Sequence, residues 1–221
     1  MSETPLNLHL DILPPSQRRL WNELGCVPAF FVLYGGTALA LRLGHRQSVD
    51  FDLFAFRDIS HQDLRTGIPF LADAETIQQQ HNTLSVLVNR DHPVSVSFFG
   101  LPKLFALAGA ERANDNGLHI ASLLDIAATK AAVIQVRAEA KDYLDIDALI
   151  RSGGIDLPTA LAAAGALYGT TFNPQITLKA LSYFEDGDVA RLPPEIKERL
   201  AVAARSVDLD NLPVISSQRS A

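Results

Sequence analysis

Cysteine is almost absent: Cys26 is the only one among 221 residues. That excludes an intramolecular disulfide and makes a cysteine-built zinc site within one chain untenable. The six histidines, at positions 9, 45, 61, 81, 92 and 119, are scattered and include no pair at helical ligand spacing, so no histidine zinc motif replaces it. Long apolar runs are missing too. No window approaches the roughly 18 uninterrupted apolar residues of a membrane span, and the opening Met-Ser-Glu-Thr-Pro has neither the basic stretch nor the apolar core of a signal peptide. The expectation is a soluble, cytoplasmic protein. A basic excess is also lacking. The net charge is -6 and the pI about 5.4, which argues against a protein whose main work is coating nucleic acid, because phosphate neutralisation supplies most of that affinity. A local basic pocket for nucleotide or RNA remains open.

What is present is an ordinary globular composition, 48% hydrophobic and 20% charged, of a length that suits one sizeable domain or a core with an appendage. Residues 1–15 carry prolines and are expected to wrap the outside. Leu20, Trp21 and Leu24 have helical spacing over 16–24, and the apolar run 29–34, stopped by Gly35-Gly36, reads as a buried strand. Residues 37–43 read as a helix ending at Gly44, and 49–54 as a second strand. Ser60 can cap a helix over 61–67. Strands are expected at 74–79, 83–89 and 93–99, with 89–93 as a hairpin turn. From Gly117 the texture turns helical. Ser122-Leu-Leu-Asp125 has capping-box spacing and opens a helix to about Ala138, with further helices over 141–151, 158–168, 174–183 and 193–205 and a frayed last dozen residues. The fold class is therefore α+β: a mixed αβ core over 1–118 followed by a helical C-terminal portion over 119–221.

The informative segment runs from Gly35 to Phe54. Strand residues two apart share a side, so Asp50 and Asp52 project together while Val49, Phe51 and Leu53 point the other way. Two neighbouring carboxylates repel, and a divalent cation relieves that conflict. Mg²⁺ prefers oxygen ligands and is commonly held by one or two carboxylates plus substrate phosphates. Gly35 and Gly36, at the entry to a helix, permit close approach of an anion to exposed backbone N–H groups, and Thr37 can add a hydroxyl. Arg42, His45 and Arg46 make the stretch between turn and carboxylates locally basic. A phosphate cradle, a cation and two carboxylates on neighbouring elements are what phosphoryl-type transfer needs. Taken singly, Gly-Gly is often only a turn and Asp-x-Asp only a solvated or edge-protecting pair. Their order, bracketing one short helix, favours function.

A second group lies in the helical portion. Lys130 sits on an alanine-rich, largely apolar helix, where an ammonium either snorkels to solvent or has a partner. Asp142 and Asp145, three apart, share a face of the next helix. Asp142 also suits that helix's positive N-terminus.

These residues resemble the AbiEii-type nucleotidyltransferases, a toxin-like branch of the polymerase β-like superfamily, over roughly residues 30–150. The resemblance rests on Gly35-Gly36-Thr37, on Arg46-Gln-Ser48-Val-Asp50-Phe-Asp52-Leu, and on Lys130 followed by Arg137 and Lys141-Asp142-Tyr-Leu-Asp145-Ile. It implies a polymerase β-like core. Asp50 and Asp52 would be the catalytic carboxylates holding Mg²⁺; Gly35, Gly36, Thr37, Arg46 and Ser48 would bind nucleotide. Lys130 would contact phosphate, and Asp142 would assist as a base or metal-organising group. It also implies transfer of a nucleoside monophosphate from an NTP to a tRNA or protein hydroxyl, and a cognate antitoxin as partner.

Two positions depart from the family pattern. Lys141 stands where an arginine is usual. The strand expected to carry a third carboxylate reads Val94-Ser95-Val-Ser97-Phe, and serine cannot supply that charge. Asp142 or Asp145 compensates, or a single metal binds well, or turnover is lost. The alternative of a different class is accordingly a catalytically silent nucleotidyltransferase fold that binds nucleotide or protein.

Overall fold

The computed structural model describes residues 6–215. The expected wrapping of 1–15 is thus visible only from Leu6, and the tail beyond Ile215 lies outside the described residues. Two compact units divide the chain: Met1–Phe105 with Ala110–Ala121, and Ala106–Gly109 with Ser122–Ala221.

The first unit is built on a seven-stranded sheet. Its strands are β1 (Val32–Tyr34), β2 (Asp50–Ala55), β3 (Glu75–Gln80), β4 (Thr83–Arg90), β5 (His92–Gly100), β6 (Glu111–Arg112) and β7 (His119–Ile120), in the order β3-β4-β5-β2-β1-β7-β6. β2 lies near the middle, antiparallel to β1 and parallel to β5, while β7 runs parallel to β1. The sheet is therefore mixed. Period-two alternation buries Phe51, Leu53 and Ala55 of β2 together with Val94, Val96 and Phe98 of β5. Helix α1 (Pro15–Trp21) packs on β4 and β5, and Trp21 and Phe31 bring their rings to Phe51 (6.4 Å) and Phe98 (5.2 Å).

Several boundaries differ from expectation. The first strand keeps only Val32–Tyr34, because Ala29 and Phe30 lie in a turn. Helix α2 spans Gly35–Leu43, so the two glycines form its first turn instead of preceding it, and Gly44 ends it in the left-handed conformation (φ 62°). Strands β4 and β5 run on to pair Arg90 with His92, and the chain reverses at Asp91 (φ 71°). Ser85 and Ser97, on the polar side of those strands, are nevertheless buried and joined at 2.9 Å. Helix α3 (His61–Gly67) is capped as its sequence indicates, Ser60 Oγ accepting from the Asp63 N–H.

The second unit is helical: α4 (Leu123–Val133), α5 (Ala140–Arg151), α6 (Leu157–Tyr168), α7 (Pro174–Ala180) and α8 (Pro194–Arg205). Small residues on α6, among them Ala160, Ala163 and Ala164, are buried where it packs on α4. Asp125 caps twice over: its carboxylate accepts from Ser122 Oγ (2.6 Å) and from the Leu107 and Ala108 N–H groups (2.7 and 3.0 Å), which holds segment 106–109 in this unit. Helix α4 stops at Val133, five residues short of the expected end. The β-branched run Val133-Ile134 weakens the helix, and Arg137 leaves its path to fork onto Asp142. Arg199 of α8 makes a similar fork onto Asp147 of α5, 2.8 Å at each arm.

Candidate functional site

The site begins with β2. Its exposure alternates, leaving Asp50 exposed and Asp52 half-buried on one side, with Phe51 and Leu53 buried on the other. Tyr34 is in register beside Asp52 across the antiparallel β1 pairing. The Asp52 carboxylate overhangs the start of α2: a Cβ on Gly35 would come 2.6 Å from Asp52 Oδ2, and Gly35 already has φ +71°. A Cβ on Gly36 would overlap the Arg46 guanidinium and come 3.4 Å from Ser48 Oγ. Both glycines are thus required by close approach. The N-cap residue of α2, Tyr34, makes no side-chain capping hydrogen bond. A helix start lined by glycine favours an anion.

Thr37 has a different position from the one a phosphate-binding hydroxyl would need. Its side chain is buried; the hydroxyl donates to the Asp50 carbonyl and lies 2.8 Å from Ser48 Oγ. It braces β2 against α2, and Ser48 joins the same brace. Arg46 Nη1 donates to the Gln47 carbonyl (2.9 Å) while the rest of the guanidinium stays over Gly36. Arg42, which the sequence placed in the same basic stretch, turns away: its Nε donates to the Ala121 carbonyl (2.8 Å), and it pairs with Glu111. His45 is half-buried in the loop that follows.

The structure brings Gly35, Gly36, Thr37, Arg46, Ser48, Asp50 and Asp52 into one cluster. It also sets Ser95 beside Asp50 and Ser97 beside Asp52 along the parallel β2–β5 pairing. The place for a third strand carboxylate is therefore occupied by hydroxyls, and Ser97 is engaged with Ser85. Among the described residues no group of three or more His, Cys, Asp or Glu side chains is arranged to hold a metal. The two carboxylates present, on one side of β2 and partly open to solvent, suit an ion that completes its shell with substrate phosphate and water. They do not suit an all-protein cage.

Lys130 has partners within the helical unit. Its Nζ lies 2.8 Å from Asp142 and 2.5 Å from Asp145, both fully buried carboxylates of α5. Arg137 adds a fork onto Asp142 at 2.7 and 3.2 Å. Burial by itself would raise the Asp142 carboxyl, but the hydrogen bonds and charges of Arg137 and Lys130 outweigh it and hold the group below the usual carboxylate range. A carboxylate so held is a weak proton acceptor. The i, i+3 spacing of Asp142 and Asp145 was the signal that could have assigned Lys130 its counter-ions; the Arg137 fork needed the shortened α4.

Comparison with known proteins adds an independent line. The profile of the family described as nucleotidyl transferase AbiEii toxin, type IV toxin–antitoxin system, matches residues 28–212. An uncharacterised protein of Aquifex aeolicus (strain VF5) is 35% identical over 158 residues, which cover 71% of this chain and 74% of that protein. Among solved structures, the fold is similar to a presumed nucleotidyltransferase from H. pylori (TM-score 0.55, 19% identity, 93% of this chain and 95% of that one). It is also similar to the nucleotidyltransferase toxin MenT4 of Mycobacterium tuberculosis H37Rv (TM-score 0.59, 16% identity, 87% and 84%). At such identities the two structures speak for the fold alone.

Proposed function

The chain belongs to the AbiEii nucleotidyltransferase toxin family, and from that premise we propose that it moves a nucleoside monophosphate from an NTP to an RNA hydroxyl, with Asp50 and Asp52 as the Mg²⁺-holding carboxylates. The observation that carries this reading is the overhang of the Asp52 carboxylate on the Gly35 end of α2, with Asp50 on the same side of β2. An anionic triphosphate at the helix start and a cation at the carboxylates would then be adjacent. Bound there, Mg²⁺ would supply charge neutralisation of the triphosphate and polarisation of phosphorus.

The chain's own residues do the positioning. Gly35 and Gly36 admit the phosphates to the backbone N–H groups, Arg46 supplies positive charge over Gly36, and the Thr37–Ser48 brace fixes the height of Asp50. The acceptor oxygen attacks the α-phosphorus, pyrophosphate leaves with the bonding electron pair, and the hydroxyl proton passes to solvent. Lys130 is tied to Asp142 and Asp145 within the helical unit; in this reading Asp142 anchors that cluster and is not the base. A protein hydroxyl is the second acceptor class, tRNA being preferred because transfer RNA is the substrate that the family resemblance implies. The partner is a cognate antitoxin, and the compartment is the cytoplasm. Among the described residues no helix is long and apolar enough to cross a membrane.

The test uses purified protein, Mg²⁺, each α-³²P-labelled NTP in turn and total bacterial tRNA, with Asp50→Ala and Asp52→Ala alongside. Label should pass to RNA with one NTP and vanish in both variants. Label on the protein itself would move the acceptor to a protein hydroxyl. No label with any NTP would sink the transferase reading and make the Ser95/Ser97 strand the reason.

A further inference from the structure

Asp50 stands at an end of β2 that the sheet supports on one side only. The β1 ladder stops with Tyr34 opposite Asp52, because the chain after Tyr34 turns into α2. Toward β5 the pairing continues, with Asp50 in register beside Ser95. Val49, just before the strand, is 50% exposed, so burial of its side chain does little to fix the backbone. Two side chains take up the carbonyls here. Thr37 of α2 donates to the Asp50 carbonyl, and Gln17 of α1 donates through Nε2 to the Val49 carbonyl at 3.0 Å.

Gln17 is buried on a helix that also buries Leu20 and Trp21. A buried amide is costly unless it is hydrogen-bonded, and an apolar side chain of similar volume would pack there without that cost. The bond to Val49, 32 residues along the chain, is what compensates it. Gln17 and Trp21 are one helical turn apart and share a face of α1. The Trp21 ring lies 6.4 Å from the Phe51 ring, and its Nε1 donates to Asp115 at 2.7 Å. One face of α1 thus reaches both the residue before Asp50 and the residue after it.

We infer that Gln17 is a positioning residue for Asp50, the exposed member of the metal-holding carboxylate pair. The inference rests on the transferase reading above. The carbonyl that Gln17 holds belongs to the Val49–Asp50 peptide, and the one that Thr37 holds belongs to the Asp50–Phe51 peptide. Peptide units are planar, so fixing both planes fixes the two backbone dihedrals of Asp50 and with them the direction of its Cα–Cβ bond. Asp52 has less need of such support, because Tyr34 and Ser97 pair with it on either side. Freeing the Val49–Asp50 peptide lets one carboxylate drift from the other, which weakens an ion held by both while the core stays packed. Gln17 acts through Val49 and performs no chemistry itself.

The experiment compares Gln17→Met, which keeps the length of the side chain and loses the donor, with Leu20→Val, which loosens the same helix and leaves the bond. Binding of Mn²⁺, a paramagnetic substitute for Mg²⁺, is read on the full chain without NTP from the loss of the free-ion EPR signal, with Asp50→Ala as the blank. Thermal melting and the labelled-tRNA assay follow, the latter giving the Mg²⁺ midpoint, kcat and KM for NTP. Gln17→Met should weaken Mn²⁺ binding and raise the Mg²⁺ midpoint, each about fivefold, the share of one hydrogen bond. KM for NTP at saturating Mg²⁺ should stay. Leu20→Val should lower the melting temperature and leave every metal readout in place. Metal readouts unchanged in Gln17→Met, or shifted equally by Leu20→Val, overturn the inference and leave the transferase reading intact. Mn²⁺ binding that depends on Asp50 and Gln17, without transfer from any NTP, supports the positioning role and removes the transferase reading. A wild type that binds no Mn²⁺ overturns the inference as well.

Discussion

Replacing Lys130 by methionine separates two roles for that side chain. The Lys130 side chain is 6% exposed, and its ammonium faces two carboxylate side chains with no exposure at all. Methionine keeps the length and the apolar stem, so packing of α4 is preserved while charge is removed. Removing one member of a buried ionic cluster typically costs about 3–5 kcal/mol, because the remaining charges lose their compensation. Arg137 still forks onto Asp142, which places the expectation at the lower end, about 3 kcal/mol. For a chain of this size that is a fall in melting temperature of about 6–12 °C. Thermal melting followed by circular dichroism at pH 7 reads that fall, and urea titration reads the free-energy change itself. Lys130→Met with Asp145→Asn, which removes one charge of each sign, should recover most of the loss. The Asp142 carboxyl is held below its usual range. Its contribution is therefore fully present above the unfolded value of about 4 and is lost as pH falls through the lower folded value. The gap between wild type and Asp142→Asn should accordingly be constant from pH 7 to about 5 and close below about pH 4. A Lys130→Met cost under about 1 kcal/mol, set against the 3–5 of a broken buried cluster, would refute the argument. If stability held while KM for NTP rose, Lys130 would be a phosphate contact and not a structural ion.

Three more expectations concern the first unit. Gly35→Ala forces a side chain into the left-handed region and against Asp52 Oδ2; it should cost about 1–2 kcal/mol and reduce kcat in the tRNA assay, since the displaced carboxylate is the proposed metal ligand. Thr37→Val removes the buried hydroxyl between Asp50 and Ser48; a stability loss of about 1–3 kcal/mol with kcat reduced and KM for NTP little changed marks a brace, whereas a change in KM alone would mark a phosphate contact. Ser95→Asp sets a third carboxylate in register beside Asp50; the free protein should lose up to about 1 kcal/mol by like-charge repulsion, and melting curves with millimolar Mg²⁺ should restore it. Failure of Mg²⁺ to raise that melting temperature would speak against a cation at this edge of β2.

The features that sequence alone determined are local ones. Asp50 and Asp52 share a side because strands alternate, whatever packs around them. Ser60 and Ser122 cap their helices because a short hydroxyl two or three residues before free N–H groups has one favourable use. Gly44 ends α2 because the left-handed conformation there is easiest for glycine. Only the tertiary structure decided the rest. The strands β6 and β7 have two residues each and no period to read; they exist through pairing, β7 with β1 from far along the chain and β6 with β7. Thr37 has the chemistry of a phosphate ligand in sequence, but the approach of β2 to α2 commits its hydroxyl to the Asp50 carbonyl. Arg42 belongs to a basic stretch by order, yet the β7 side of the sheet draws it to Ala121 and Glu111. Lys130 acquires its partners when α5 packs against α4. A side chain's direction is set within one or two turns of chain, whereas its partner is set by whichever distant segment the core brings beside it.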